Sequence, residues 1–245
     1  MKKLCIVLMC LMPWMAFAQQ YTGLTGLIHV PTAEMATVGQ VRAGTHFINR
    51  EMMPDRMNVD GVKFHAPNAY LAINPFSWLE LAYTMTFYKG AKLGLEGVPD
   101  PNDIGYHFKD RYLSVKVQLL KETEWLPSVA IGTNDPFSTS GNNARYFGNY
   151  FVAASKHIII PNHLFGVHVA YRKWRQHTNY RWNGLVGGIT YRSARVPDLR
   201  VIAEYTGDAF NVGADWRLWK HVLVQASLQN CKYLSCGLCV YMNIL

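Results

Sequence analysis

Apolar and polar residues alternate along most of this chain, and the alternation is most regular near its end. In "HVLVQASLQN", Val222, Val224 and Leu228 share one face, and in "KYLSCGLCVYMNIL" every second residue from Leu234 to Ile244 is apolar or cysteine. Successive side chains of a β-strand point to opposite faces, so this pattern predicts a hairpin with one apolar and one polar face. The apolar face of such a hairpin has to be covered by a protein core or by lipid.

The same pattern recurs upstream and predicts twelve strands. They lie near 39–48, 69–74, 78–89, 111–120, 126–134, 147–158, 163–175, 181–192, 198–206, 209–218, 221–229 and 232–243. The longer connections are 49–68, 90–110, 135–146 and 176–180. Short turns at one end and long loops at the other are typical of transmembrane barrels. We therefore predict an all-β fold, an antiparallel transmembrane β-barrel of about twelve strands.

The composition also favours strands that face lipid. Hydrophobic residues make up 50% of the chain and aromatic residues 13%, whereas charged residues make up only 16%, against roughly 25% in a typical soluble domain. After the amino terminus, no apolar run is long enough for a spanning helix. A soluble sandwich or a lipocalin-like barrel would show the same alternation with its apolar side chains turned inward, so that alternative stays open.

Aromatic residues near the predicted strand ends favour the membrane alternative, because interfacial girdles of Trp and Tyr are typical of outer-membrane barrels. The girdle is predicted to comprise Trp78, Phe87, Tyr88, Trp125, Trp174, Trp182, Tyr191, Tyr205 and Trp219.

Charged residues oppose the apolar set of their own strands, which predicts a polar lumen. Buried charges need partners, so these side chains are expected to point inward and pair with one another, leaving a constricted interior. The predicted lumen cluster is Arg42, Glu80, Lys116, Arg172, Glu204, Asp215 and Arg217.

The amino terminus indicates export. "MKKLCIVLMCLMPWMAFAQQ" has a cationic start, an apolar core and a small-residue ending, which predicts a signal peptide over 1–18. Residues 19–38 form a separate segment, and the barrel is expected to occupy 39–245. Within the segment, Thr32 is predicted to cap a short helix that Gly39 ends. We expect residues 21–38 to act as a partial plug at the periplasmic mouth; the alternative is a simple linker.

Catalysis is not expected, although the chain has the residue types that barrel hydrolases use. Ser, His and acidic residues occur on predicted strands, but no local signature joins them; they are His46, His168, Glu204, Asp215 and Ser227. Cys236 and Cys239 lie on opposite faces of one strand, so they should not pair. No phosphate loop and no metal-spaced histidine pair occurs. We therefore predict no catalytic residues, no cofactor and no metal, with a phospholipase- or protease-type barrel or a small-solute channel as the alternatives.

Several motifs resemble those of the YjbH family of outer-membrane proteins, particularly its short single-barrel versions from Bacteroidetes. They are "GLTGLIHVPTAEM", "KDRYLSVKVQLL", "PSVAIGTNDP", "YFGNYFVAASKH" and "NGLVGGITYRS". The resemblance implies a place in the cell outer membrane and an association with exopolysaccharide production, export or surface display. It implies no catalytic residues.

The expected partners follow from the fold and from this resemblance. Outer-membrane lipid would cover the apolar face, and the last strand loosely resembles the signal that the barrel assembly machinery reads. Polysaccharide, or other envelope export proteins, would be the functional partner, with no role for nucleic acid.

The net charge is +8, which suits anionic headgroups or acidic glycans. The loop aromatics predicted to stack on sugars are Tyr106, Phe108, Phe137 and Tyr146.

Overall fold

In a computed structural model of the chain, the described residues are 19–94, 97–137 and 145–244. The predicted signal peptide, 1–18, lies outside them. Within these ranges, no helix has both the length and the apolar character needed to cross a membrane.

The chain folds into a closed antiparallel barrel of twelve strands, which confirms the predicted fold class. Fourteen strands occur in chain order: β1 (Gln40–Ile48), β2 (Asn58–Val59), β3 (Val62–Lys63), β4 (Ala66–Phe76), β5 (Leu79–Leu93), β6 (Pro99–Leu120), β7 (Ser128–Asn134), β8 (Asn149–Ile160), β9 (His163–Trp174), β10 (Gly184–Ser193), β11 (Val196–Tyr205), β12 (Phe210–Leu218), β13 (Val222–Gln229) and β14 (Tyr233–Asn243). β2 and β3 form a separate small hairpin. All other strands pair with their barrel neighbours, and β1 closes the barrel against β14.

The two ends of the barrel differ. At one end, which we call the turn end, β1 begins, β14 finishes and the connections between strands are short. At the other, the loop end, lie the connection that contains β2 and β3, and the 3-10 helices Arg50–Met52 and His177–Trp182. The predicted division into short turns and longer loops is therefore observed, although the loop-end connections before β12 and β14 are also short.

One long predicted loop is instead a strand pair that extends the loop end. β5 and β6 continue pairing through Gly90 with Gly105 and Leu93 with Pro99, with two register irregularities. The prediction of a loop over 90–110 is therefore wrong, because glycine, proline and aspartate interrupt the alternation there without ending the pairing. Tyr106 and Phe108 consequently lie on β6 and not in a loop.

Apolar and polar side chains separate onto the two faces of the barrel wall. On β9, Phe165, Val167 and Val169 are exposed on the outer surface, whereas His168 and Arg172 are buried inside. The same division holds on the other strands, and the exposed apolar side chains form the outward surface. An apolar exterior around a polar interior is the arrangement of a barrel in lipid and the inverse of a lipocalin-like barrel.

An apolar cluster fills the barrel interior near the loop end. It comprises Tyr21, Ile48, Met52, Met53, Met57, Ala66, Tyr112, Phe147, Trp174 and Trp182. The prediction that Trp174 and Trp182 belong to an outer girdle is therefore wrong. Trp174 lies an even number of residues from Arg172, so it points to the same, inward face.

Residues 24–33 occupy the middle of the interior, where the barrel wall is lined by small side chains. Leu24, Leu27, Ile28, Val30 and Ala33 pack in one cluster with barrel residues that include Ala72, Ala82, Ala130, Ala153 and Ala170. At Gly188, an added Cβ would lie 2.5 Å from Cδ1 of Leu27. The alanine and glycine residues of the wall therefore leave space in the interior that the segment fills.

Enlarging one of these small residues should disturb the interior. We expect Ala170→Phe to destabilise the barrel by about 1–3 kcal/mol, because overpacking forces neighbouring side chains out of position. Val169→Phe is the matched control, since the Val169 side chain is 45% exposed on the outer face and added apolar bulk there points away from the packed interior. Urea unfolding in detergent measures both variants, and an equal loss in the two would contradict the assigned faces.

Candidate functional site

The segment of residues 19–38 lies inside the barrel with little secondary structure of its own. Its backbone forms the isolated bridges Gln19 with Thr25 and Gly26 with Pro31, together with a few turn hydrogen bonds such as Leu27 N–H to the Val30 carbonyl. Buried backbone N–H and C=O groups require partners, and here side chains of the barrel wall supply many of them. The predicted short helix after Thr32 is absent: Ser155 Oγ accepts from the Ala33 N–H, and Gln118 donates to its carbonyl.

Glu204 of β11 binds three successive N–H groups of the segment. Its carboxylate accepts hydrogen bonds from Ile28 N at 3.1 Å, His29 N at 3.0 Å and Val30 N at 3.1 Å. Asn211 Nδ2 donates to the same carboxylate at 2.9 Å. A buried carboxylate with this many donors is well satisfied, so Glu204 anchors the centre of the segment.

Glu80 of β5 forms a second anchor, shared with two cations. Thr25 donates to Glu80 Oε1 from both its N–H and its hydroxyl, each at 2.7 Å. Arg42 pairs with Oε1 and Lys116 with Oε2, the latter at 2.7 Å. Lys116 Nζ also donates to the carbonyl oxygens of Thr25 at 2.8 Å and Glu34 at 2.7 Å. All three charged side chains are buried.

The remaining predicted lumen residues have other partners. Arg172 donates to the carbonyl oxygens of His29 at 3.0 Å and Thr206 at 3.1 Å, without a direct ion pair to a carboxylate. Asp215 pairs with Arg200 at 2.9 Å.

Arg217 is only half-buried and pairs with Asp198 near the turn end. Six of the seven predicted residues therefore lie buried in the interior, and Arg217 lies at its rim. Arg200, which the sequence analysis left out of the cluster, belongs to it.

A histidine and carboxylate cluster lies in the lumen towards the turn end. One possible ligand atom from each of Glu34, His157 and His168 lies within 4.8 Å of the others. His157 Nε2 is 3.1 Å from Glu34 Oε1, and its Nδ1 is 2.7 Å from Glu122 Oε2. Arg200 Nη1 is 3.6 Å from Glu34 Oε2. Residues of this type can hold a cation, whereas the sequence analysis predicted no metal.

The side chains considered for hydrolysis do not form a catalytic triad. His168 Nδ1 is 2.9 Å from Ser155 Oγ and its Nε2 is 3.3 Å from Thr190 Oγ1, so neither ring nitrogen contacts Ser227.

The other candidates have separate partners as well. His46 contacts Gln225, and the Ser227 hydroxyl donates to the Ser235 carbonyl. Glu204 binds the backbone of the segment, and Asp215 pairs with Arg200. Among the described residues, no hydrogen bond or ion pair joins any two of these five candidates, although His46 and Ser227 line the same small cavity.

The predicted sugar-stacking aromatics lie towards the loop end but do not form one surface. Phe108 stacks on Tyr88, and Tyr146 contacts the same ring edge-on. The Tyr106 hydroxyl donates to the His65 carbonyl, with Lys89 Nζ 5.4 Å from the Tyr106 ring centroid. Phe137 is 72% exposed. Sugar binding by these residues stays a prediction.

Asp135, in the connection after β7, gives the loop end a dependence on pH. Burial raises the pKa of its carboxyl to about 6, against the opposing effect of Arg145 and Arg175. The folded protein therefore binds more protons than the unfolded chain between about pH 4 and pH 6, so stability falls as pH rises through this window.

We expect Asp135→Asn to raise the free energy of unfolding by on the order of 1–2 kcal/mol at pH 8 and to change it little at pH 4. Asparagine also tolerates the left-handed backbone at this position, where φ is 51°. Asp60→Asn is the control, because Asp60 has φ 50° but is exposed. Equal effects of the two changes at both pH values would contradict the assignment.

Solved structures similar to this chain include two outer membrane phospholipases, and one family model matches the sequence. The outer membrane phospholipase A of Escherichia coli is 13% identical over 85% of this chain and 98% of its own, with a TM-score of 0.39. The Salmonella typhi outer membrane phospholipase dimer with bound calcium is 13% identical over 83% and 89%, with a TM-score of 0.37. No curated protein matches the sequence significantly.

The family match rests on sequence and includes the segment inside the barrel. It covers residues 18–179, which is more than half of the chain and includes the segment, β1 to β9 and both histidines of the turn-end cluster. The family is described as exopolysaccharide biosynthesis protein YbjH. The chain therefore belongs to the YjbH family.

Proposed function

We propose that this protein is a non-enzymatic barrel of the outer membrane that assists the production, export or surface display of an exopolysaccharide. Membership of the YjbH family is the observation that carries the proposal. In this arrangement the exposed apolar wall contacts lipid, the turn end faces the periplasm and the loop end faces outward. A signal peptide over 1–18 would direct the chain to the envelope.

The filled interior supports an assisting role over that of an open conduit. Residues 24–33 pack against the wall, and Glu80 and Glu204 bind the segment from different strands. The segment occupies the interior between these contacts, so on this proposal the passage of a polysaccharide chain would require the segment to leave. We therefore propose that residues 19–38 keep the barrel closed and that the protein acts through its surfaces.

The absence of catalysis is part of the proposal. Charged side chains of the interior such as Glu80, Glu204 and Asp215 are engaged with the segment or with other wall residues. The described residues show no hydrogen bond between any two of the five candidates for hydrolysis. A hydrolase would need a nucleophile, a base and an orienting group within hydrogen-bond reach.

A gene deletion scored for surface polysaccharide tests the proposal. We expect the deletion to lower surface polysaccharide, and both the wild-type gene and Ser227→Ala to restore it. Purified barrel should not turn over phospholipid or peptide substrates. Normal polysaccharide in the deletion strain, together with turnover that His168→Ala or Ser227→Ala abolishes, would establish the hydrolase instead. Normal polysaccharide with solute flux through the wild-type barrel would establish the small-solute channel.

A further inference from the structure

The turn-end cluster brings together three metal-binding side chains from distant parts of the chain. Glu34 comes from the interior segment, His157 from β8 and His168 from β9, with one possible ligand atom of each within 4.8 Å of the others. The two imidazole rings meet edge to face, with centroids 5.8 Å apart. Two imidazoles and one carboxylate are the protein ligands of many zinc sites that keep one position for water.

Neighbouring side chains hold both histidine rings through one ring nitrogen, which is how the histidine ligands of metal sites are usually held. Glu122 Oε2 is 2.7 Å from Nδ1 of His157, which leaves Nε2 directed at Glu34. A carboxylate on the far ring nitrogen of a liganding histidine fixes the ring and raises its basicity. Ser155 Oγ, 2.9 Å from Nδ1 of His168, holds the second ring in a similar way.

The charges and the access also fit a divalent cation. Glu34 and Glu122 supply two negative charges. The nearby cations Arg200, Lys116 and Lys156 each have another partner. Arg200 is held by Asp215, Lys116 by Glu80, and Lys156 by the carbonyl oxygens of Thr123 and Glu124. Arg192 also lies close enough to interact with Glu34. The side chains of Glu34 and His157 are 12% and 27% exposed, so the cluster is reachable from the turn end.

To form the site, ligand atoms that now lie up to 4.8 Å apart have to approach one another by on the order of 1 Å. Ligand atoms of tetrahedral zinc lie roughly 3.4 Å apart. Glu34 Oε1 and His157 Nε2 are already 3.1 Å apart.

We propose that Glu34, His157 and His168 form a zinc site that joins the interior segment to β8 and β9. The Glu34 carboxylate, Nε2 of His157 and one ring nitrogen of His168 bind the ion, and water completes the coordination. The liganding nitrogen of His168 exchanges its present contact with Ser155 or Thr190 for the ion. Bound zinc fastens the segment at the turn end, in addition to the anchors at Glu80 and Glu204. This inference is independent of the polysaccharide role.

The test uses the whole chain without a histidine tag, purified in detergent, stripped with chelator and titrated with ZnCl₂. We expect one zinc ion per chain and slower cleavage of the segment by protease when zinc is bound. His157→Ala and His168→Ala should each abolish stoichiometric binding, and Glu122→Gln should weaken it by about 10–100-fold. Co²⁺ in place of Zn²⁺ should give the intense visible absorption of a four-coordinate ion.

His163→Ala is the matched control, because His163 lies at the turn end of β9 outside the cluster. It should bind zinc as the wild type does. Heat-modifiable gel mobility confirms that every variant still forms a barrel, and Glu34→Gln serves if a histidine variant does not fold. Absence of stoichiometric zinc in the wild type, binding that persists in the His157→Ala/His168→Ala double variant, or an equal loss in His163→Ala would overturn the proposal.

Discussion

Replacing Glu204 with alanine is expected to release the interior segment from the barrel. The change leaves the N–H groups of Ile28, His29 and Val30 without their acceptor. Each unpaired buried donor costs about 1–3 kcal/mol, so the buried position of the segment becomes several kcal/mol less favourable. We expect the segment to become sensitive to protease and the single-channel conductance in a planar bilayer to rise.

Two further variants test whether the rise in protease sensitivity and conductance is caused by the loss of these hydrogen bonds. Glu204→Gln keeps one acceptor oxygen and should give an intermediate result. Glu124→Ala removes an exposed carboxylate in a short turn and should change neither measurement.

Deleting residues 21–38 should raise conductance at least as much as Glu204→Ala. Unchanged conductance in the deletion, with a protease-sensitive segment in the wild type, would show that the segment is only a linker.

Lys116→Met is expected to give the largest loss of global stability. The Lys116 ammonium is fully buried. It forms an ion pair with Glu80 Oε2 and donates hydrogen bonds to the Thr25 and Glu34 carbonyl oxygens. Removing one partner of a buried ion pair typically costs about 3–5 kcal/mol, because the other charge stays buried with less compensation. Urea unfolding followed by tryptophan fluorescence measures this loss.

Lys109→Met provides the matched control on the same strand, since Lys109 is exposed. It should unfold within about 0.5 kcal/mol of the wild type. In the Lys116→Met/Glu80→Gln double variant, the loss should differ from the sum of the two single losses, because both act on one network. Additive losses, or a Lys116→Met barrel as stable as the control, would contradict the network described here.

The barrel wall was predictable because its signal is local and repeated. An alternation of period two over eight or more residues determines both the strand and its faces. Arg42 and Glu80 could therefore be placed inside from their own strands alone. Arg42 and Glu80 can pair because β1, β4 and β5 are neighbours in the barrel. That adjacency could also be predicted, since strands that follow one another in the chain pair in such a barrel.

The contacts of the segment could not be predicted from sequence, because they join residues far apart in the chain. Glu204 and Val30 are 174 residues apart, and Glu34 and His157 are 123 apart. Thr32 followed by an acidic residue locally favours a capped helix. That preference is overridden here because wall side chains, such as Ser155, satisfy the backbone in an extended form.

The attachment points of the interior segment are spread around the circumference of the wall. Glu80 lies on β5, Ser155 on β8 and Glu204 on β11, so they are three, three and six strands apart in the ring of twelve. Hydrogen bonds to the interior segment therefore connect separated parts of the wall across the centre of the barrel. Flattening the barrel would change the distances between these attachment points, so we expect the segment to make the cross-section harder to deform than strand pairing alone would.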